Sequence, residues 1–284
     1  MHNFKVEIDD AIQEMTSLNP TVPKVLKLAN DMNSSAKDIM KVIQMDPVLT
    51  AKALRLVNSA FFGLPHKITS LGRAVILLGI NTVRNLALSC SVSSSICLKT
   101  SPCRITSEDF WKYSVGCAAM NQMLANHIGI PRIEQEEFFI AGLLHNIGKA
   151  LLIQFYPDKM NEAIAMAEAE QLPIEEAESR IFGMDHTEIG ARLSDKWGLP
   201  DSIRDAIIFY NQPEQAVYQS TRLLAIVSVY IKMNRVGFSG DYFEHDFSDD
   251  VWDLCKLDHT QVFLIFQKNL KKELNRASQF IEEM

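Results

Sequence analysis

The protein is a chain of 284 residues with an apolar fraction of 47%, 22% charged residues, a formal net charge of −7 and a pI near 5.5. Those values specify a globular protein long enough to bury a large core, and they exclude a disordered or fibrous chain. The acidic balance excludes a broad basic face of the kind that binds nucleic acid through counterion release, while leaving room for a local basic patch.

Apolar residues recur at spacings of three and four almost throughout, with no sustained alternation, so the predicted class is all-α. Ser35 with Asp38 predicts an N-cap and capping-box pair at the start of a helix carrying Ile39, Val42 and Ile43. Asp46-Pro47 supplies a second cap followed by proline at the first helical position, and that helix runs through Leu49, Ala53, Leu54 and Val57 to stop near Asn58-Ser59. Small polar residues at 93–95 and 100–103 interrupt the pattern and mark a connection between two lobes. Thr106 with Asp109 opens the helix of Trp111 and Tyr113, Pro131 precedes the helix of His145, and Gly198-Leu199-Pro200 ends one helix and starts the next. Residues 237–250 read as an acidic, aromatic loop. From 251 to 284 one or two amphipathic helices follow, whose Val262, Leu264, Ile265, Leu270 and Leu274 are expected to dock on the body or, less favoured, to form a partner surface.

Apolar runs such as 138–144 and 223–231 fall short of the roughly 20 residues that span a bilayer, so no membrane segment is expected. The opening Met1-His2-Asn3-Phe4-Lys5-Val6-Glu7 has no signal-peptide pattern, and a cytoplasmic location follows as the expectation. Cys90, Cys97, Cys103, Cys117 and Cys255 are odd in number and lack close pairs, which predicts buried or incidental free thiols.

Ordered motifs carry a family resemblance. In the first half these are Leu18-Asn19-Pro20-Thr21-Val22-Pro23, Asp46-Pro47-Val48-Leu49-Thr50, Leu54-Arg55-Leu56-Val57-Asn58-Ser59-Ala60-Phe61-Phe62-Gly63, and a run from Ile68-Thr69-Ser70-Leu71-Gly72-Arg73 to Gly79. In the second half they are Phe110-Trp111-Lys112-Tyr113-Ser114, Gly142-Leu143-Leu144-His145-Asn146-Ile147-Gly148-Lys149, Gly183-Met184-Asp185-His186-Thr187-Glu188-Ile189-Gly190 and Trp197-Gly198-Leu199-Pro200. Together they resemble the HDOD branch of the HD superfamily of metal-dependent phosphohydrolases, a branch found in bacterial signalling proteins. The resemblance implies a multi-helix bundle of two packed lobes over residues 14–231. A first lobe covers about 14–100, an HD-like lobe about 104–231, and an extension 232–284.

The same resemblance implies a degenerate metal site. Tyr113 stands where the family has its first His, Asn146 where the His-Asp doublet has its Asp, and Tyr210-Asn211 where a later His often sits; the last Asp maps onto Tyr230, while His145 and His186 survive. Divalent cations need anionic oxygen or imidazole and thiolate donors, and phenols with a reference pKa of about 10 are neutral at pH 7. Without a held cation no water becomes a hydroxide nucleophile. The expectation is therefore no cofactor, no metal and no catalysis, with His145 and His186 as hydrogen-bonded core residues, Asp185 as an N-cap for the helix of Glu188, and the protein acting on a signalling partner or small signal. Two other readings stay open: a phosphohydrolase of a nucleotide or cyclic dinucleotide with ligands from His145, His186 and Asp185, and a helical scaffold. Asn58, Ser59 and Arg84 are a candidate cleft for a phosphate or peptide carboxylate, set against a plain helix-end turn in which Gly63 relieves backbone strain.

Overall fold

The computed structural model describes residues 4–17, 24, 28, 35–58, 66–79, 82, 83, 86, 90, 92, 95, 96, 98, 101–132, 134–237 and 247–283. Among them the chain is helical and contains no strand. Helix α1 (Phe4–Ser17) buries Ile8, Ala11, Ile12 and Met15 at helical spacing. The first lobe follows as α2 (Ala36–Gln44), α3 (Pro47–Val57) and α4 (Leu71–Leu78), which pack on one another. The second lobe contains α5 (Ser107–His127), α6 (Gln135–Leu144), α7 (Ile147–Phe155), α8 (Pro157–Glu170), α9 (Ile174–Phe182), α10 (His186–Trp197), α11 (Asp201–Phe209) and α12 (Gln219–Met233). The extension adds α13 (Asp249–Cys255) and α14 (His259–Glu283).

Side chains fix several helix starts. Ser35 and Asp38 form a reciprocal capping box on α2, Asp46 accepts from the Leu49 N–H at 2.9 Å ahead of Pro47 on α3, and Thr106 accepts from the Asp109 N–H at 3.1 Å on α5. Each cap stabilises its helix by about 1 kcal/mol, because it satisfies an N–H that has no partner within the helix. Gly198, at φ 64°, closes α10 in the left-handed region before Pro200 starts α11.

Helix α5 is the axis of the second lobe, with α6, α12 and α14 laid against it. Among the described helices, α1 has its main contacts with the second lobe rather than with the first lobe that follows it. It packs on α7 and α10, held by the Tyr156 hydroxyl donating to the Glu7 carbonyl at 2.7 Å and by an Arg192–Asp9 ion pair at 2.8 Å. Gln135–Phe155, which covers α6 and α7, is long and apolar enough to pass for a membrane span by length and composition, but it is almost wholly buried in the bundle and serves as core.

Helix α14 docks through Val262, Phe266 and Leu270, all buried, with Ile265 and Leu274 partly so. Leu264 is the exception to the predicted stripe: it is 57% exposed, because the face touching α5 repeats at 262, 266 and 270 and leaves 264 on the far side. Cys90, Cys103, Cys117 and Cys255 are buried free thiols, and burial pushes Cys90, Cys117 and Cys255 up to about 12, so they are unreactive. Cys97 lies outside the described residues, as do Ser59, Phe61, Phe62, Gly63 and Arg84.

Candidate functional site

The site begins at a break in the helical run from α6 to α7. His145 is the C-cap of α6 and Asn146 precedes α7 with φ −97° and ψ 16°, so the two stand between helices rather than inside one. The His145 ring supplies a reason. Its Nδ1 donates to the Gly142 carbonyl at 2.7 Å, and that carbonyl is the acceptor the Asn146 N–H would take in an unbroken helix.

Glycine allows the broken ends to reach their neighbours. A Cβ on Gly148 would lie 1.9 Å from the His186 carbonyl oxygen, and one on Gly142 would lie 2.5 Å from the Ala118 Cα. Without side chains at these positions, α7 lies against the start of α10 and α6 against α5, which brings His145 toward His186.

His186 is the first residue of α10, and Asp185 caps that helix by accepting from the Thr187 N–H at 2.8 Å and the Glu188 N–H at 3.0 Å. Its ring is fully buried and both nitrogens are engaged. Nδ1 lies 2.5 Å from Glu178 Oε2, which also accepts from the His186 N–H at 2.9 Å. Nε2 lies 2.8 Å from the Tyr210 hydroxyl. Tyr210 also contacts His145, with ring centroids 4.7 Å apart at 68°, and Tyr113 reaches His145 from the other side at 5.6 Å. The structure thus joins Tyr113, His145, His186 and Tyr210 in one buried cluster.

Two predicted positions play other parts. The Tyr230 hydroxyl donates to the His259 carbonyl at 3.2 Å and its ring packs 5.0 Å from Phe266, so it belongs to the seam with α14 rather than to the site. Burial, with Asp258 nearby, raises its pKa. Asn211 stands beside Tyr210, with its buried Oδ1 accepting no hydrogen bond.

Two carboxylates escaped the sequence reading. Glu178 is wholly buried and orients His186, and Glu175 is 8% exposed with both oxygens unpartnered, Oε1 being 4.0 Å from His186 Nε2. A signal was there: Ile174, Ala177 and Phe182 form the apolar stripe of α9, and Glu178 interrupts that stripe.

Burial pushes His145 down to about 3, aided by the nearby positive charges of Lys149 and Lys232 and opposed by the Gly142 carbonyl, so His145 is neutral at pH 7. With its proton on Nδ1, its Nε2 carries a lone pair that no group among the described residues uses. A divalent cation does not fit this donor set. The His186 nitrogen facing the cluster is hydrogen-bonded to a phenol, Asn146 is neutral, and among the described residues no three His, Cys, Asp or Glu side chains converge to hold an ion.

The first-lobe cleft is corrected at Asn58. Its amide donates to the Leu54 carbonyl at 2.7 Å and the Ile68 carbonyl at 2.8 Å, while its Oδ1 accepts from the Ile68 N–H at 2.6 Å. Asn58 fastens the end of α3 to the segment before α4, and no donor is left for a ligand.

Residues 15–213 match the HDOD domain model. The chain belongs to the HDOD family. Relatives with the HDOD-type fold differ in what they are said to do. An uncharacterized protein of Treponema pallidum (strain Nichols) is 25% identical over 78% of this chain, which spans only 42% of that relative's length. A Shewanella amazonensis SB2B protein described as a phosphohydrolase superposes with a TM-score of 0.70 at 24% identity, over 96% of this chain and 97% of its own. A Marinobacter aquaeolei VT8 protein described as acting in signal transduction gives 0.74 at 21% identity, over 99% of this chain and 65% of its own. At these identities the two structures show the shared fold alone.

Proposed function

We propose that this HDOD protein is a non-catalytic regulator that binds a signalling partner or a small signal. The observation that carries the proposal is the 2.8 Å contact between the Tyr210 hydroxyl and His186 Nε2. In either protonation state of the imidazole that nitrogen is hydrogen-bonded, so binding a cation would strip a buried hydrogen bond before forming a new one. Asn146 adds no charge in compensation. Membership of the HDOD family and the signal-transduction description of the Marinobacter relative support a signalling role.

One observation favours metal-dependent hydrolysis instead: among the described residues His145 Nε2 and both Glu175 oxygens have no hydrogen-bond partner. Metal analysis and turnover of bis(4-nitrophenyl) phosphate separate the two. The regulatory proposal expects folded protein without stoichiometric iron, manganese or zinc and without turnover. One equivalent of metal lost on His145→Ala, or turnover abolished by that change, would overturn it.

A further inference from the structure

Charge is distributed very unevenly along this acidic chain. Between Asp46 and Glu108 there are seven Lys and Arg side chains and not one Asp or Glu, although the net charge is −7. In the fold, part of that segment surrounds a cavity of about 630 Å³ between the end of α3 and the strip leading into α4. Arg55, His66 and Lys67 line it and are exposed. Among the described residues no carboxylate pairs with any of the three. Leu54 and Ile68 add apolar wall, and the Asn58 bonds to Ile68 hold the two walls together.

We propose that this cavity is a binding site for a small phosphate-bearing ligand of nucleotide size. Arg55 supplies a planar fork that grips two phosphate oxygens, Lys67 a point charge, and His66 an N–H donor. The volume lies within the range of sites that enclose a small molecule, and the apolar wall suits a base or other flat group joined to the phosphate. A nucleic-acid strand is the weaker candidate, because the acidic remainder of the chain repels a long polyanion while a compact ligand meets only the basic cavity. The site rests on the regulatory proposal above, naming the class of the signal, and it stands apart from the His145–His186 cluster.

Titration calorimetry on the full chain tests it with adenosine monophosphate, pyrophosphate and a single-stranded oligonucleotide as probes. Saturable binding of adenosine monophosphate or pyrophosphate is expected, weakened at least tenfold by the double change Arg55→Ala and Lys67→Ala and weakened by added salt. Arg73→Ala, which removes a cation from the same segment but not from the cavity, should change affinity less than twofold. Both sets of side chains are exposed, so melting midpoints should match the wild type. Absence of saturable binding by both phosphate probes, an equal loss in Arg73→Ala, or tighter binding of the oligonucleotide would overturn the site while leaving the regulatory proposal standing. Release of inorganic phosphate from either probe would overturn the regulatory proposal, and with it the assignment of the ligand as a signal.

Discussion

His186 and its two partners in the second lobe are buried and turned on one another, whereas the cations of the first-lobe cavity stand exposed with no carboxylate paired to them among the described residues. His186 lies between Glu178 and Tyr210, and its bonds are internal to the fold. Arg55, His66 and Lys67 make no such bonds with a carboxylate among the described residues. A buried polar group left unsatisfied destabilises the core, so the first arrangement, the His186 ring bonded at both nitrogens, is read as structure. Exposed like charges gathered at a cavity gain nothing for stability, so the second is read as a place for a ligand. The contrast predicts that substitutions in the cluster act on folding and substitutions in the cavity act on binding.

The largest effect is expected at Glu178. Glu178→Ala removes the partner of the buried His186 ring and backbone N–H, and should cost about 3–5 kcal/mol in urea unfolding; a cost under 1 kcal/mol would mean the cluster does not hold the lobe. Gly148→Ala should follow at about 3 kcal/mol, because its Cβ would meet a backbone oxygen rather than a movable side chain. Circular dichroism melting reads that loss.

Next comes pH. His145 in the fold is pushed down to about 3 from an ordinary 6.5, so the unfolded chain binds a proton that the folded chain refuses. Stability from this group is complete well above pH 6.5 and is lost as pH falls toward 3, by about 1.5 kcal/mol between pH 6.5 and 5. Urea titrations at those two pH values should show that slope, and His145→Gln should flatten it. Arg55→Ala should have the smallest effect, within about 0.5 kcal/mol, as for an exposed side chain with no carboxylate partner among the described residues; a larger loss of stability would place it in the packing of the lobe instead.

Much of the scaffold was readable because it rests on local chemistry. Ser35, Asp46, Thr106 and Asp185 each hydrogen-bond backbone N–H groups within three residues along the chain, so their sequence positions specify helix starts. The site was less readable because its decisive contacts are distant in sequence. Tyr210 could be seen to replace a His, but not that its hydroxyl would reach His186 across 24 residues. Glu178 could be seen to interrupt an apolar stripe, but only folding shows the ring it orients. Asn58 looked available because polar residues near a helix end often face solvent, and its three backbone bonds, two of them to Ile68, depend on a return of the chain that its own neighbours do not encode.

Nitrogen-15 NMR of the His186 ring, with zinc added to the protein at neutral pH, tests the central claim most directly. If the Tyr210 hydroxyl holds Nε2, the His186 ring resonances stay unchanged up to one equivalent of zinc, and Tyr210→Phe makes them responsive. A shift of His186 Nε2 in the wild-type protein, saturating at one equivalent and shared by His145 Nε2, would contradict the account.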